Sequence, residues 1–516
     1  MNKLPIGIQT FREIREEGYC YVDKTPLVAR LADEGKYYFL ARPRRFGKSL
    51  LVSTLAAAFA GERELFAGLH LEDHWDWNRR HPVIRLDFGE GILNDVDSLA
   101  ASVAMQLEEC AAAHGVTLPA NPYIHLRLHA LIRVLHAASG ERVVVLVDEY
   151  DKPILDHLHQ PERALELREG LRNLYSVLKT QDARLRFVLL TGISKFSKVS
   201  LFSGLNNLKD ITLDERFATV CGYTQDELEH AFAAWLDGVD LAEVRQWYNG
   251  YNFLGEPVYN PFDVLLYLDS RQFRSYWFET GTPTFLINLL KTRRYPIPAL
   301  ETLEAGEELL SSFDVGAIEP ETLLFQTGYL TIRDRYRRAG RYRYRLRYPN
   351  FEVRASLPTA ILNAYVPSVQ DRLRTEDSIY AAVDTDDPDA LRAAFHAFFA
   401  SLPHDWHRRN DIADYEGYWA SLVYCYFAAL GLTVIPEDVT NHGRIDLTIQ
   451  WAGRAWLLEF KVVELSEPGR ALEQIQARGY HQKYAGQPVT LIGMEFSRAE
   501  RNLVGFEWRR LSVAND

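Results

Sequence analysis

The sequence predicts an α/β protein in three parts. An amino-terminal parallel sheet covered by helices is followed by a mixed, mainly helical middle region and a smaller carboxy-terminal α/β domain. Three observations carry this. Continuous apolar runs alternate with helix-length segments up to about residue 225, as strands buried on both faces do. From Thr224 to about 370 that alternation is lost. Near Asp414 a new pattern begins, with one helix, three strands, a second helix and a further strand. A chain of 516 residues also exceeds what one hydrophobic core supports. The expected segments are 1–225, 226–370, a helical link at 371–412, and 413–516.

In order along the chain, 11–21 reads as a short amphipathic stretch. The run YYFL at 37–40 is a strand, and a helix follows at 50–60. A strand at 83–88 leads to helices at 96–113 and 124–138. The apolar run VVVLVD at 143–148 is a strand ending in acid, and a helix at 161–180 precedes the strand at 187–191. A fifth strand is expected around 217–220. Thr224 with Glu227 three residues on reads as a capping box for a helix beginning at Gln225. Helices are expected at 261–268 and 283–290. A hairpin is expected over 329–332 and 341–347, and arginine and tyrosine alternate in its second strand; charge on such an edge strand guards against edge-to-edge association, and a nucleic-acid contact is the alternative reading. The last part reads as a helix at 415–430, strands at 433–436, 446–450 and 455–463, a helix at 469–480, and a strand at 488–496.

Composition limits the function. The chain is 47% hydrophobic and 25% charged, normal for a folded soluble protein. No apolar leader follows Met1 and no run reaches the length of a membrane span, so a cytoplasmic protein without a membrane partner is expected. The net charge of -12 argues against non-specific coating of nucleic acid, which needs local positive charge. Cys20, Cys110, Cys221 and Cys425 have no zinc spacing and read as buried thiols. His404 and His407 read as surface residues.

The first candidate site is Gly47-Lys48-Ser49, lying between a strand and a helix as a phosphate loop requires. Backbone N–H groups and the helix N-terminus would face phosphate oxygens, Lys48 would reach the β- and γ-phosphates, and Ser49 would hold Mg²⁺. The consensus glycine five positions before Gly47 is Arg42 here, and the loop reads RPRRFGKS, so Arg42, Arg45 and Phe46 join the expected nucleotide contacts. The partner is the acid-tipped strand at 143–148. Asp148 would act through the Mg²⁺ shell, and Glu149 would position or deprotonate the attacking water. Thr191, ending the next strand, could sense the γ-phosphate. Arg44, Arg45, Lys195, Lys198 and Arg216 are unranked candidates for a charge supplied across subunits. Asp23 and Lys24 fit a base, a ribose or a structural role equally.

The second candidate site is Asp446, Glu459 and Lys461. Residues i and i+2 on a strand share a face, so Glu459 and Lys461 project together. The short turn at Ala452-Gly453 pairs their strand with that of Asp446. Two facing carboxylates attract a divalent cation, and oxygen ligands suit Mg²⁺ or Mn²⁺. Such an ion would polarise a scissile phosphate and acidify a bound water. Glu416, one helix earlier, could add a metal contact, and Gln474 lies on the following helix.

These strings occur with others in one order: YVDKT at 21–25, RPRRFGKS at 42–49, VDEYDKP at 147–153, TGISKFSKVSLFSGLNNLKDIT at 191–212, CGYT at 221–224, WYNGY at 247–251 and FQTGYLTI at 325–332. Together they resemble the bacterial AAA-ATPase-like family that joins an altered P-loop to a carboxy-terminal PD-(D/E)XK nuclease domain. The resemblance covers nearly the whole chain. It implies an AAA/ASCE-like P-loop NTPase domain, a lid or adaptor region and a restriction-endonuclease-like domain. In that family arginine at the position of Arg42 is usual. The PD-(D/E)XK pattern falls on Asp446, Glu459 and Lys461, with a helical acid at Glu416 and an accessory polar residue at Gln474. The proline of the pattern is replaced by Ile445.

The expected function is ATP binding and hydrolysis coupled to metal-dependent cleavage of DNA or RNA. ATP and Mg²⁺ (or Mn²⁺) are the cofactors, and AAA-like sites shared between subunits point by analogy to a homo-oligomer. The alternative is an ATP-gated adaptor binding nucleic acid or protein through an inactive nuclease-like domain.

Overall fold

The computed structural model describes residues 2–195, 207–280, 284–293, 295–307, 319–366, 368–401, 416–440, 443–464 and 470–511. The chain divides into two compact units, one comprising 1–280 and 305–344, the other 281–304 and 345–516.

The first unit is built on a five-stranded parallel sheet in the order β2-β3-β4-β1-β5. The strands are β1 Tyr37–Ala41, β2 Val83–Asp87, β3 Val143–Asp148, β4 Leu185–Gly192 and β5 Lys209–Asp210. Every residue of β3 is buried. That matches its unbroken apolar sequence and its place between two neighbours under helices on both faces. Parallel pairing aligns Ala41 with Gly192 and Val147 with Leu190. The carboxy ends of β1, β3 and β4 therefore emerge side by side, where ligands of open parallel sheets bind. The helix Lys48–Ala60 leaves directly from the loop after β1.

The expected fifth strand at 217–220 is replaced. β5 is Lys209–Asp210, and Glu215–Phe217 is a short 3₁₀ turn. Phe217 and Val220 are buried as the sequence suggests. The carbonyls of Phe217 and Ala218 accept hydrogen bonds from the Arg42 guanidinium, so this segment is held by a side chain. The capping box at Thr224 and Glu227 starts the helix Gln225–Ala231. Beyond it come helices Leu241–Tyr248, Pro261–Ser270 and Pro320–Thr327. Three short strands follow the parallel sheet in sequence, β6 Glu304–Gly306, β7 Thr331–Arg338 and β8 Arg341–Arg347. β7 lies beside β8, at an edge.

The second unit contains a mixed five-stranded sheet in the order β13-β12-β11-β10-β9. Its strands are β9 Thr433–Thr440, β10 Gly443–Trp451, β11 Arg454–Val462, β12 Val489–Ser497 and β13 Asn502–Leu511. Only β11 and β12 pair in parallel. Ala452 and Gly453 join β10 to β11 with positive φ at both positions (48° and 74°), the geometry that a two-residue hairpin turn needs. β13 is absent from the sequence reading; Glu507, Trp508, Arg509 and Arg510 are exposed on this edge strand, which leaves it no apolar alternation. The helix Arg470–Ala477 crosses β12 so closely that a Cβ on Gly493 would stand 2.5 Å from the backbone nitrogen of Leu472. Gly493→Ala should push this helix from the sheet and lower stability by about 1–3 kcal/mol, the cost of overpacking. Thermal denaturation checks this, and an unchanged melting temperature would mean that the contact yields freely.

Candidate functional site

The loop from Arg42 to Ser49 borders a cavity of about 620 Å³ in the first unit. Arg45, Phe46, Gly47, Lys48, Ser49 and Glu149 line it, and Ile8, Val22, Phe262 and Leu265 supply apolar wall. Gly47 has φ 89°, a left-handed value that frees the next N–H groups to begin the helix. Arg45 and Glu149 adopt positive φ (65° and 52°) without being glycine. Such strain persists only where the surroundings enforce it, and it concentrates at functional loops. The Lys48 ammonium is buried and donates to the carbonyls of Arg42 and Pro43, both at 3.1 Å.

Arg42 departs from its expected role as a nucleotide contact. Its guanidinium turns away from the cavity and donates to the carbonyls of Ala41, Thr212, Phe217 and Ala218. It also stacks 3.9 Å from the centroid of the Phe253 ring. Burial lowers its pKa to about 10. Arg45 lines the cavity and lies over the Phe262 ring. Phe46 is buried edge-on against Tyr251.

Asp148 and Thr191 meet behind the loop. The Thr191 hydroxyl donates to Asp148 Oδ1 at 2.6 Å, and both residues are fully buried. Asp148 Oδ2 has no hydrogen-bond partner among the described residues, an orphaned acceptor that fits the shell of a hydrated cation. Sequence reasoning missed Asp151. Its carboxylate accepts from the N–H groups of Ile193 and Ser194 and from the Ser194 hydroxyl, and Tyr150 donates to the Ser194 carbonyl. Burial pushes the Asp151 carboxyl up to about 6. Gly192 is required here, because a Cβ would stand 2.4 Å from Asp151 Oδ1. The second acid of the DEYD string and the glycine of TGIS thus belong to one latch. Both lie inside strings that carry the family resemblance, VDEYDKP and TGISKFSKVSLFSGLNNLKDIT, and that was the available signal.

Of the cations considered for a second subunit, Arg44 and Arg45 are exposed at the cavity. Lys195 pairs with Asp210, and Arg216 with Glu34 and Asp214. Lys198 lies outside the described residues. Lys24 is bound to Glu227 and the Thr219 carbonyl, and Asp23 receives the N–H groups of Thr25 and His70. Both thus hold structural ties, and Lys24 also lines the cavity. Cys20, Cys221 and Cys425 are buried free thiols and Cys110 is half-buried. His404 and His407 lie outside the described residues.

In the second unit, β10 and β11 pair from Trp451↔Arg454 to Leu447↔Leu458. Just beyond, Asp446 Oδ2 accepts the backbone N–H of Phe460 at 2.8 Å, which fixes this carboxylate beside Glu459. Glu459 is only 1% exposed. Its Oε1 accepts from Lys461 Nζ at 3.4 Å and from the Gln474 amide, and its Oε2 has no hydrogen-bond partner among the described residues. Burial and, next, the charge of Asp446 push its carboxyl up to about 8, against the pull of Lys461. The close approach at Gly493 is what delivers Gln474 to this carboxylate, and sequence reasoning missed it; a glycine inside an apolar strand was the signal. Glu416 opens the helix Glu416–Ala429, and its side chain lies outside the described residues. Two adjacent carboxylates with an orphaned, desolvated oxygen fit a small divalent cation.

The comparisons with known proteins agree with this division. The family described as predicted AAA-ATPase matches residues 5–202. The PD-(D/E)XK nuclease superfamily matches residues 414–506. A protein of Azotobacter chroococcum mcd 1, described by its position in the vnfD 5' region, is 55% identical over 507 residues, covering 98% of each chain.

A pH dependence follows from Glu459. Its folded pKa, about 8, lies above the ordinary carboxyl value of 4.5, so its contribution to stability is full below 4.5 and is lost as pH rises through 8. Mg²⁺ or Mn²⁺ should offset that loss. The metal-induced rise in melting temperature should be larger at pH 8 than at pH 5.5 and should vanish in Glu459→Gln. An equal rise in the variant would place the cation elsewhere.

Proposed function

The chain belongs to the family that joins a predicted AAA-ATPase domain to a carboxy-terminal PD-(D/E)XK nuclease superfamily domain, and from this premise we propose an ATP-hydrolysing protein that controls a metal-dependent nuclease acting on DNA or RNA. The cluster of Asp446, Glu459, Lys461 and Gln474 carries the reading. A carboxylate removed from water, beside a second carboxylate and with one oxygen unpartnered, is destabilising by itself. A divalent ion relieves that cost and, when bound, supplies positive charge to the scissile phosphate. Asp446 and Glu459 would hold the ion. Gln474 keeps the Glu459 carboxylate in one orientation. Lys461 would orient the attacking water or balance charge developing on the phosphate.

In the first unit, Lys48 would leave its two loop carbonyls for the β- and γ-phosphates of ATP, and Ser49 and Asp148 would hold the accompanying Mg²⁺. Glu149 borders the cavity and would position water. Asp151 acts one step back, by fixing the loop after Thr191.

The test is cleavage of single- and double-stranded DNA and RNA with Mg²⁺ or Mn²⁺, with and without ATP. Lys461→Ala should lower cleavage by about 10²-fold or more, the scale of losing one charge-stabilising group. Lys48→Ala should abolish the ATP dependence and leave the metal-dependent stabilisation of the second unit intact. Metal binding and ATP binding without cleavage of any substrate would replace this reading with that of an ATP-gated adaptor. Cleavage indifferent to ATP and to Lys48→Ala would reduce the first unit to a scaffold.

A further inference from the structure

We propose that the hairpin of β7 and β8 is a binding arm for the sugar–phosphate backbone of nucleic acid. It is distinct from the two sites above, and its choice of partner rests on the nuclease reading. Between residues 331 and 344, all in the first unit, stand six arginines and one acid, Asp334. This local excess of five positive charges occurs in a chain whose net charge is -12. Protection of a strand edge needs only a charge or two.

The arrangement is also ordered. The guanidinium groups of Arg335 and Arg337 lie 4.6 and 4.8 Å from the centroid of the same ring, Tyr342. Arg335 is tethered by Glu215 at 2.6 Å. Arg337, Arg338 and Arg341 are exposed, and no ion pair engages them among the described residues. Like charges gathered on one surface repel, and a polyanion laid across them removes that repulsion.

The chemistry favours phosphate over carboxylate-rich protein for two reasons. Alternate residues of β7 repeat at about 7 Å, a regular spacing that suits a regularly repeating anion. A guanidinium held over an aromatic ring by its π-face interaction still carries N–H donors suited to two-pronged phosphate binding. Half-buried Tyr336 and Tyr342 interleave the cations, a pattern that suits backbone tracking with aromatic support.

The test is fluorescence anisotropy of a labelled oligonucleotide, single- and double-stranded, titrated with the full chain in EDTA over a range of salt concentrations. Arg333→Glu/Arg337→Glu/Arg338→Glu spares the tethered Arg335. It should weaken binding at least tenfold and reduce the log–log salt slope by about 2–3, near 0.7–0.9 for each phosphate that is no longer neutralised. Lysine at the same three positions should keep the slope and lose part of the affinity. Unchanged affinity and slope in a glutamate variant that melts like the wild type would overturn the proposal. So would binding of heparin without binding of any oligonucleotide. The two readings fail separately. Binding that depends on the hairpin, in a protein that never cleaves, would sink the nuclease reading alone. Cleavage that depends on Lys461, with oligonucleotide binding indifferent to the hairpin, would sink the arm alone.

Discussion

A guanidinium taken out of water must place its N–H groups on acceptors, and at Arg42 this requirement organises the first unit. The carbonyls it reaches belong to the end of β1, to Thr212 just beyond β5, and to the turn at Phe217 and Ala218. None of these segments is closed by strand pairing at those atoms. The Phe217 carbonyl also accepts the N–H of Val220, so the arginine matters most to the carbonyls of Ala41, Thr212 and Ala218, where an unsatisfied buried acceptor costs about 1–3 kcal/mol. The same side chain lies on Phe253, which brings in the loop after the helix Leu241–Tyr248. A glycine at this position would leave the phosphate loop free to choose its shape. Arginine sets that shape from behind.

The second unit meets the opposite requirement. Its sheet brings carboxylates together and then limits what can neutralise them. Glu459 is buried in the middle of β11, and among the described residues Lys461 and Gln474 donate to its Oε1. The neighbouring Asp438 shows the alternative outcome. It is equally buried, but Thr448, Lys483 and Tyr484 all donate to it, so it is a closed structural knot. Within one sheet, then, Asp438 is fully served by donors while Glu459 keeps an oxygen without one among the described residues.

How far the fold was legible follows from these interactions. β3 is visible because six consecutive apolar and acid-tipped residues leave no other reading, and β10 and β11 because a two-residue turn fixes their register. The strand expected at 217–220 failed because burial there is enforced by a distant side chain, which no local pattern reports. β13 escaped because its exposed charged face erases the alternation of an ordinary strand. In the site, the shared face of Glu459 and Lys461 follows from strand periodicity alone, and their polar atoms do lie within hydrogen-bond range. Asp151 and Gly493 act through proximity across the fold. Sequence shows them only as an unexplained acid and an unexplained glycine.

One more consequence concerns the phosphate loop. Its outer side is packed: a Cβ on Gly328 would stand 2.7 Å from Pro43, and Trp277 donates to the Arg44 carbonyl at 3.1 Å. Gly328 lies three residues before β7, and Thr331 accepts the N–H of Asn252 at that strand's start. The loop is therefore tied on this side to the residues that lead into β7. What can change is Lys48, whose ammonium holds the carbonyls of Arg42 and Pro43, the two residues whose side chains anchor the loop to the rest of the unit. A phosphate that draws Lys48 away would leave those carbonyls unpaired in a buried place, and the backbone at Arg42 and Pro43 would have to adjust. The adjustment would fall on the segment at 212–218 and on the turn that leads into the arginine strand. In this unit the phosphate loop and the start of the basic hairpin are thus joined by direct contacts, through Pro43 and through Arg42, the residue that stands where the common phosphate-loop sequence has glycine.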